Sequence, residues 1–312
     1  MTLSLRVSRV EYIADGIRLF ELREAGGGDL PEFTPGSHIE VKTPSGAQRK
    51  YSLSNDPMER DRYIIAVKRE DNGRGGSASM CGQLQEGDSL EASLPKNDFP
   101  MGNSPAGYTL IAGGIGITPI LSMARQLSSE GKSFKLYYLT RSPETTAFLD
   151  ELNGPEWRGK IVIHHDGGSP DNGYDLWPVL EKPKGHIYCC GPAGLMDSVR
   201  DMTGHWSPTA VHFEAFTDGH TIKPDDVPFT VKLAKSGTSY SVPVGTPILE
   251  ILRDNGHDVP FSCEAGSCGS CRTGLVSGDV DHRDFVLMDD EKGTNIMVCV
   301  SRGRGGEVVI DR

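Results

Sequence analysis

From Leu3 to about Pro100, apolar and polar residues alternate in short runs such as Ser37–Lys42, Lys50–Leu53 and Tyr63–Lys68. Gly, Pro, Asn and Asp turns separate them, and this pattern predicts an antiparallel β-barrel. Between about Tyr108 and Phe216 the pattern changes. Buried-strand runs at Thr109–Ala112, Lys135–Leu139, Lys160–His164, His186–Cys190 and Val211–Ala215 alternate with helical ones from about Thr118, at Thr145–Leu152 and at Ala193–Met202. Strand and helix in alternation predict a parallel sheet with crossover helices. Thr217–Asp226 is polar and turn-rich and reads as a linker. A hairpin-like stretch, Phe229–Val244, then restarts a strand pattern, followed by a capped amphipathic helix over Thr246–Asn255 that ends at Gly256. Three domains follow from this, residues 1–103, 104–222 and 228–312.

Composition supports globular folding. Of 312 residues, 37% are hydrophobic and 24% charged, which argues against disorder or a long coiled coil. The 32 Lys and Arg against 43 Asp and Glu leave a formal charge of −11, which disfavours nucleic acid or an anionic membrane as partner. No apolar run approaches the ~20 residues that span a bilayer, and Met1–Val7 lacks the basic start and apolar core of a signal peptide. A cytoplasmic monomer is expected. In a reducing compartment, clustered cysteines mark metal or redox sites. Of the seven here, Cys81, Cys189 and Cys190 are scattered, whereas Cys263, Cys268, Cys271 and Cys299 share one segment.

Those four follow the pattern C-x4-C-x2-C with a distant fourth cysteine, the spacing of plant-type two-iron clusters. Three thiolates on a tight loop reach two adjacent irons only if the backbone folds round them. Ala265, Gly266, Ser267, Gly269 and Ser270 permit that and let N–H groups point at sulfur. A structural zinc site would have Cys pairs with short spacers in both halves, and Cys299 has no near partner. From about Pro228 to Arg312 the chain resembles a plant-type ferredoxin domain. Such a cluster carries one electron at a time, so the preceding segments must load it.

In the middle segment, Leu110–Leu121 ends a strand and opens a helix through Gly113, Gly114 and Gly116, with Thr118 and Pro119 in the first turn. Backbone N–H groups and the helix dipole there suit a pyrophosphate, although the spacing is not G-x-G-x-x-G and a plain strand-to-helix turn is the alternative. Cys190-Gly191-Pro192 closes another strand at the same end of the expected sheet, where open parallel sheets bind ligands. The first segment carries Arg49-Lys50-Tyr51-Ser52 and then Gly73–Ser79. Arginine is a bidentate partner for phosphate, tyrosine offers a flat apolar face, and Gly75, Gly76 and Ser77 before a short helix form a second anion cradle. Taken alone, Arg-x-Tyr-Ser also describes an ordinary strand with a solvated arginine.

The order of these motifs resembles the ferredoxin-NADP reductase superfamily over residues 1–216. With the ferredoxin segment appended, the whole chain resembles the phthalate dioxygenase reductase and vanillate O-demethylase reductase family. The resemblance implies a flavin-binding β-barrel, an α/β nucleotide domain and a β-grasp ferredoxin domain. It implies FMN, where an FAD relative would need further contacts for adenine. Arg49, Lys50, Tyr51 and Ser52 would then hold the flavin, with Ala66, Val67 and Lys68 along its ring and Gly75, Gly76 and Ser77 at its phosphate. Gly113, Gly114, Thr118, Pro119, Gly191 and Pro192 would bind pyridine nucleotide, with Cys190 near the nicotinamide and Thr140 and Arg141 at the ribose. Family precedent favours NADH, and Arg141, with no acidic residue directly after its strand, leaves NADPH open. Phe216 resembles the aromatic that covers the flavin face, or else closes a core. Ser52, Cys190 and Phe216 are thus the residues placed at the chemistry, and Cys263, Cys268, Cys271 and Cys299 the cluster ligands.

A hydride brings two electrons and the cluster takes one, so the flavin must stand between them. The implied acceptor is a Rieske-type oxygenase. Asp279, Asp281, Asp284, Asp289, Asp290 and Glu291 form an acidic run suited to a basic docking face, or simply a solvated loop. A reductase for a haem, ferric or quinone acceptor, or a non-catalytic redox sensor, are the rival readings.

Overall fold

The computed structural model describes residues 2–216 and 221–312. The chain divides into two compact units, Met1–His212 and Phe213–Arg312.

The first unit opens with strands β1 (Thr2–Ala14) and β2 (Ile17–Glu24), paired antiparallel across a turn in which Gly16 has a φ of +68°. There follow β3 (Ser37–Lys42), β4 (Gln48–Ser52), β5 (Tyr63–Lys68), helix α1 (Gly76–Gln83), β6 (Ser89–Ser93) and the short β7 (Lys96–Asn97). The sheet runs β4-β3-β6-β1-β2-β5, with β7 beside β3. Just beyond β4, the Ser54 N–H and Oγ both donate to the Ile64 carbonyl, at 2.9 and 3.1 Å. That joins the two end strands and closes the barrel. Side chains alternate as the period of two requires: Ile65 and Val67 of β5 fill the barrel with Phe20, Leu22, Ile39 and Met80, while Ile64 and Ala66 face outward.

The outward face is not solvated. It meets a second sheet built from β8 (Tyr108–Gly113), β9 (Phe134–Thr140), β10 (Ile161–His165), β11 (His186–Cys190) and β12 (Val211–Glu214), in the order β10-β9-β8-β11-β12. The β10/β9, β9/β8 and β8/β11 pairs are parallel, as the alternating pattern predicts. Helix α2 (Ile117–Ser129) lies between sheet and barrel, buried all round over its first eight residues. Its Ile117, Ile120, Leu121 and Ala124 share one core with Ile17, Leu19, Ile64 and Ala66 of the barrel and Leu110, Leu136 and Tyr188 of the sheet. The helix expected at Thr145–Leu152 shrinks to a 3-10 turn at Pro143–Thr145 and one turn, α3 (Leu149–Leu152). Phe148, with a φ of +60°, breaks the run. Single-turn α4 (Trp177–Leu180) and α5 (Ala193–Met202) complete this half.

The second unit contains β13 (Phe229–Leu233), β14 (Ser239–Val242), α6 (Ile248–Asp254), β15 (Arg272–Ser277), β16 (Val280–Asp281), β17 (Asn295–Met297), β18 (Arg302–Gly303) and β19 (Glu307–Ile310). The first and last strands, β13 and β19, pair in parallel and are flanked by antiparallel β14 and β15. Helix α6 packs Ile248, Leu249 and Leu252 on the sheet, which is the β-grasp arrangement. It starts later than expected: Pro247 stands at the N-cap and Thr246 caps nothing, whereas Gly256 ends the helix in the left-handed region as anticipated. The polar stretch before β13 is fastened through Asp226, which accepts from Arg283. Arg302, 2% exposed, in turn donates to the Pro243 and Thr246 carbonyls at 2.8 Å each.

Candidate functional site

Strand β4 places Arg49 beside the start of α1. Any Cβ on Gly76 would lie 2.8 Å from Arg49 Nε, so only glycine lets the guanidinium pack on the first turn. Gly75 at the N-cap has a φ of +80°, no side chain caps the helix, and its first turn holds no acidic residue. The first-turn N–H groups are therefore uncapped by side chains and flanked by a cation, a ready cradle for phosphate. The Ser77 hydroxyl accepts from the Glu70 N–H at 3.1 Å and folds the glycine loop back on β5. The buried Tyr51 Oη has no hydrogen-bond partner among the described residues, and burial pushes its phenol above the ordinary range. A buried hydroxyl without a partner is costly, and it marks where a ligand would supply one. Ser52 is buried and Lys50 exposed. Of the expected ring contacts, Ala66 faces the core shared with α2, Val67 fills the barrel, and Lys68 is exposed and paired with Glu70. What Ala66 and Val67 have left for a flavin ring is their backbone.

The two turns expected to hold the nucleotide meet because β8 and β11 are neighbours in register. A Cβ on Gly116 would stand 2.2 Å from the Cys190 carbonyl oxygen, on Gly113 2.6 Å from Pro192, and on Gly191 2.9 Å from the Gly113 Cα. Glycine at 116 and 191 is thus imposed by backbone meeting backbone, and at 113 by the Pro192 ring and the Leu195 side chain. Helix α2 starts there without a side-chain cap or an acidic residue in its first turn, and the turn lies against β5. Gly114 is partly exposed at the tip. Thr118 and Pro119 are buried instead, and the Thr118 hydroxyl donates to the Ile115 carbonyl at 3.1 Å. Their side chains shape the turn from within the core. Cys190 and Cys189 are both fully buried, and burial pushes the Cys189 thiol well up. At the end of β9, the Thr140 hydroxyl is shared with Thr146 and His165 Nδ1, each at 2.8 Å. Arg141 is exposed and has no ion pair among the described residues. Phe216 is 48% exposed, so it closes no core, and the nearby Glu214 is buried.

In the second unit, Cys263–Cys271 curls on three left-handed residues, Glu264 at +57°, Gly266 at +74° and Gly269 at +83°. The curl turns amides inward: Ala265 and Ser267 N–H donate to Cys263 Sγ at 3.3 and 3.4 Å, and Cys263 N–H to Cys268 Sγ at 3.4 Å. Gly266 has no room for a Cβ, which would meet Val300 at 2.7 Å. No three described His, Cys, Asp or Glu side chains gather on a single ion. The four thiols meet two by two. Cys263 hydrogen-bonds Cys268 and pulls its thiol down to about 5, and Cys299 hydrogen-bonds Cys271 and lowers it likewise. Cys271 and Cys299 are buried, and Cys263 and Cys268 sit nearer the surface.

The acidic run is mixed: Asp289 and Asp290 are exposed, and others are buried or paired. Asp284 is 1% exposed and caps the Val286 and Leu287 N–H groups. Asp281 pairs with Arg283 and Lys223, Glu291 with Arg272, Asp289 with Lys292 and Asp279 with Arg304. Two residues that sequence reasoning did not single out, Ser122 and Arg125 of α2, reach the backbone just after β4.

Residues 231–303 match the 2Fe-2S iron-sulfur cluster binding domain. Phthalate dioxygenase reductase of Burkholderia cepacia is 55% identical, covering 99% of this chain and 97% of that one. The phthalate 4,5-dioxygenase oxygenase reductase subunit of Pseudomonas putida is 53% identical, over 98% and 96%. A solved structure of phthalate dioxygenase reductase, described as modular for electron transfer from pyridine nucleotides to [2Fe-2S], superposes with a TM-score of 0.75 over 100% of this chain and 98% of its own. Identity at this level along the whole length, on the same three folds in the same order, makes the chain a member of the phthalate dioxygenase reductase family of iron-sulfur oxidoreductases.

Proposed function

We propose that this chain is the reductase component of a Rieske-type oxygenase system, working as a cytoplasmic monomer and passing electrons from NADH through FMN to a 2Fe-2S cluster and on to the oxygenase. One observation carries the reading: a single chain holds an uncapped, arginine-flanked helix start beside an unpartnered buried tyrosine hydroxyl, and also a four-thiol loop with inward amides. The groups present fit the cofactors. Arg49 and the first-turn amides of Gly76 and Ser77 suit the FMN phosphate, Tyr51 the ring face, and the backbone at Ser52 and Ala66–Lys68 the ring edge. Cys263 with Cys268 suits one iron, and Cys271 with Cys299 the other.

When bound, the flavin takes a hydride from nicotinamide and releases its electrons singly, and the chain's residues supply position and tuning. Gly113, Gly114 and Gly191 let the nucleotide pyrophosphate approach the backbone at the α2 start, where the dipole favours negative charge. Cys190 closes the floor of that turn and keeps water out. Thr140 and Arg141 lie where the ribose would end, and Arg141 makes NADPH a second donor to be tested. Around the cluster, amides of Ala265 and Ser267 directed at Cys263 sulfur stabilise added negative charge and so raise the potential. The more exposed pair, Cys263 and Cys268, would face the acceptor.

The test is an anaerobic absorbance titration with NADH after flavin, iron and acid-labile sulfide have been quantified. One FMN and two irons, bleached together by about 1.5 NADH per chain, are expected, because a hydride brings two electrons and the centres store three. A flavin that bleaches while the cluster stays oxidised would remove the cluster as electron outlet.

A further inference from the structure

The core between barrel and α2 is apolar, and apolar packing fixes no direction along the contact. Two polar groups interrupt it. Ser122, fully buried on α2, donates its hydroxyl to the Asn55 carbonyl at 2.9 Å, and Arg125, one turn further, donates Nη1 to the Ser54 carbonyl at 2.5 Å. The same guanidinium is gripped from behind: Glu151 of α3 accepts from Nε and Nη2 at 2.6 to 3.1 Å, and the Phe148 ring lies beneath it. Phe148 is held at a positive φ at the start of that turn, a conformation that costs free energy and delivers Glu151 to Arg125.

On the barrel side the two carbonyls belong to a rigid segment. Ser54 and Asn55 are at most 1% exposed. Ser54 donates twice to Ile64, Asn55 Oδ1 accepts from the Ile64 N–H at 3.0 Å, and Asn55 Nδ2 donates to Arg62. The segment follows Tyr51 and Ser52 directly and is stitched to β5. At its other end α2 begins at the glycine turn assigned to the nucleotide. One helix therefore joins the nucleotide cradle to the flavin strands, with two directional bonds defining their register.

We propose that Ser122 and Arg125 are positioning residues for hydride transfer: they set how far the nicotinamide stands from the flavin ring, with Glu151 holding Arg125 in its rotamer. This rests on the functional reading above. The Arg fork matters because it grips Glu151 with two nitrogens while spending a third on Ser54, which a lysine ammonium cannot do in the same geometry. A shift of ~1 Å between donor and acceptor costs up to ~100-fold in rate.

The experiment compares wild type, Arg125→Ala, Arg125→Lys and Ser122→Ala, all flavin-loaded. Stopped-flow reduction at saturating NADH should slow about tenfold or more in Arg125→Ala, less in Arg125→Lys, and about threefold in Ser122→Ala. Equilibrium affinity for NAD+ should stay within about twofold, and the long-wavelength absorbance of the nucleotide–flavin complex should weaken in the same order. Hydrogen exchange over residues 53–57, measured with no cofactor bound, should quicken in both Arg125 variants. An unchanged limiting rate and band in flavin-loaded Arg125→Ala would overturn the proposal, as would a defect confined to NAD+ affinity or to folding yield. If Arg125→Ala fails to fold, Ser122→Ala carries the same test alone. A wild-type chain that NADH does not reduce would sink the functional reading instead, while the exchange result would still decide the coupling.

Discussion

The cluster loop and the glycine turn proposed for the nucleotide both present backbone amides, but they are made differently. Between Cys263 and Cys271 the chain curls on itself through three left-handed residues, and neighbouring amides reach neighbouring sulfurs. At the nucleotide turn the backbone of Gly113 and Gly116 is pressed against Cys190 and Gly191, which arrive on another strand. The first device is written in local conformation and the second in the pairing of β8 with β11. Damage should follow that division: the loop should fail by losing its metal, the turn by losing its ligand and its packing together.

Replacing a thiol gives the largest effect. Cys299→Ala should bring iron content close to zero and lower reduction of an external acceptor more than about 100-fold, while NADH still reduces the flavin within about twofold of wild type. Iron retained at the wild-type level would mean that Cys299 is not a ligand.

Gly116→Ala should do the reverse. Its Cβ would meet the Cys190 carbonyl at 2.2 Å, so the ends of β8 and β11 must part. The KM for NADH should rise about tenfold or more and thermal stability should drop by several degrees, with the cluster spectrum unchanged. Gly82 supplies the control. It lies in α1 with open space around its Cβ position, so Gly82→Ala should stabilise by about 0.5–1 kcal/mol. A Gly116→Ala chain that binds NADH normally would show that the close approach is incidental.

The same division explains what was legible beforehand. The cysteine spacing and small residues of the loop announce the cluster because neighbours in sequence are neighbours in space. Strand periodicity likewise reveals the barrel and the parallel sheet. Thr118 and Pro119 look like ligands because they follow a glycine turn, and only the packing of α2 between two layers shows them buried. Ser122 and Arg125 look like ordinary helix positions until α2 is set against the barrel, and no local signal distinguishes them. The acidic run is legible only in part for the same reason: three cations that pair with it, Lys223, Arg272 and Arg304, come from elsewhere in the unit.

Flavin binding offers a finer cut through the first unit. Arg49→Ala removes a cation from the phosphate cradle and should weaken FMN by about 10- to 100-fold, as loss of a charge-assisted hydrogen bond does. Tyr51→Phe removes only a hydroxyl with no partner among the described residues. In flavin-free protein it should leave thermal stability unchanged or raise it, because a buried unsatisfied group is relieved, while FMN affinity falls a few-fold. A lower melting temperature of flavin-free Tyr51→Phe would mean that the hydroxyl already serves the fold.

Two buried histidines give the first unit a pH dependence of its own. His38 on β3, opposite Ser52, is lowered to about 4 by burial, and His212 on β12 is lowered to about 4 by burial and by the neighbouring His186. In the unfolded chain both titrate near the ordinary value of about 6.5. Between those limits the unfolded state binds more protons than the folded one, so stability is complete above about pH 6.5 and falls as pH drops toward 4. The slope is about 1.4 kcal/mol per pH unit for each histidine that titrates only on unfolding. Urea unfolding followed by flavin release, repeated from pH 7 to pH 4.5, reads the first unit alone. His38→Asn should take away about half of the slope, and a slope that His38→Asn leaves intact would place the acid sensitivity in other groups.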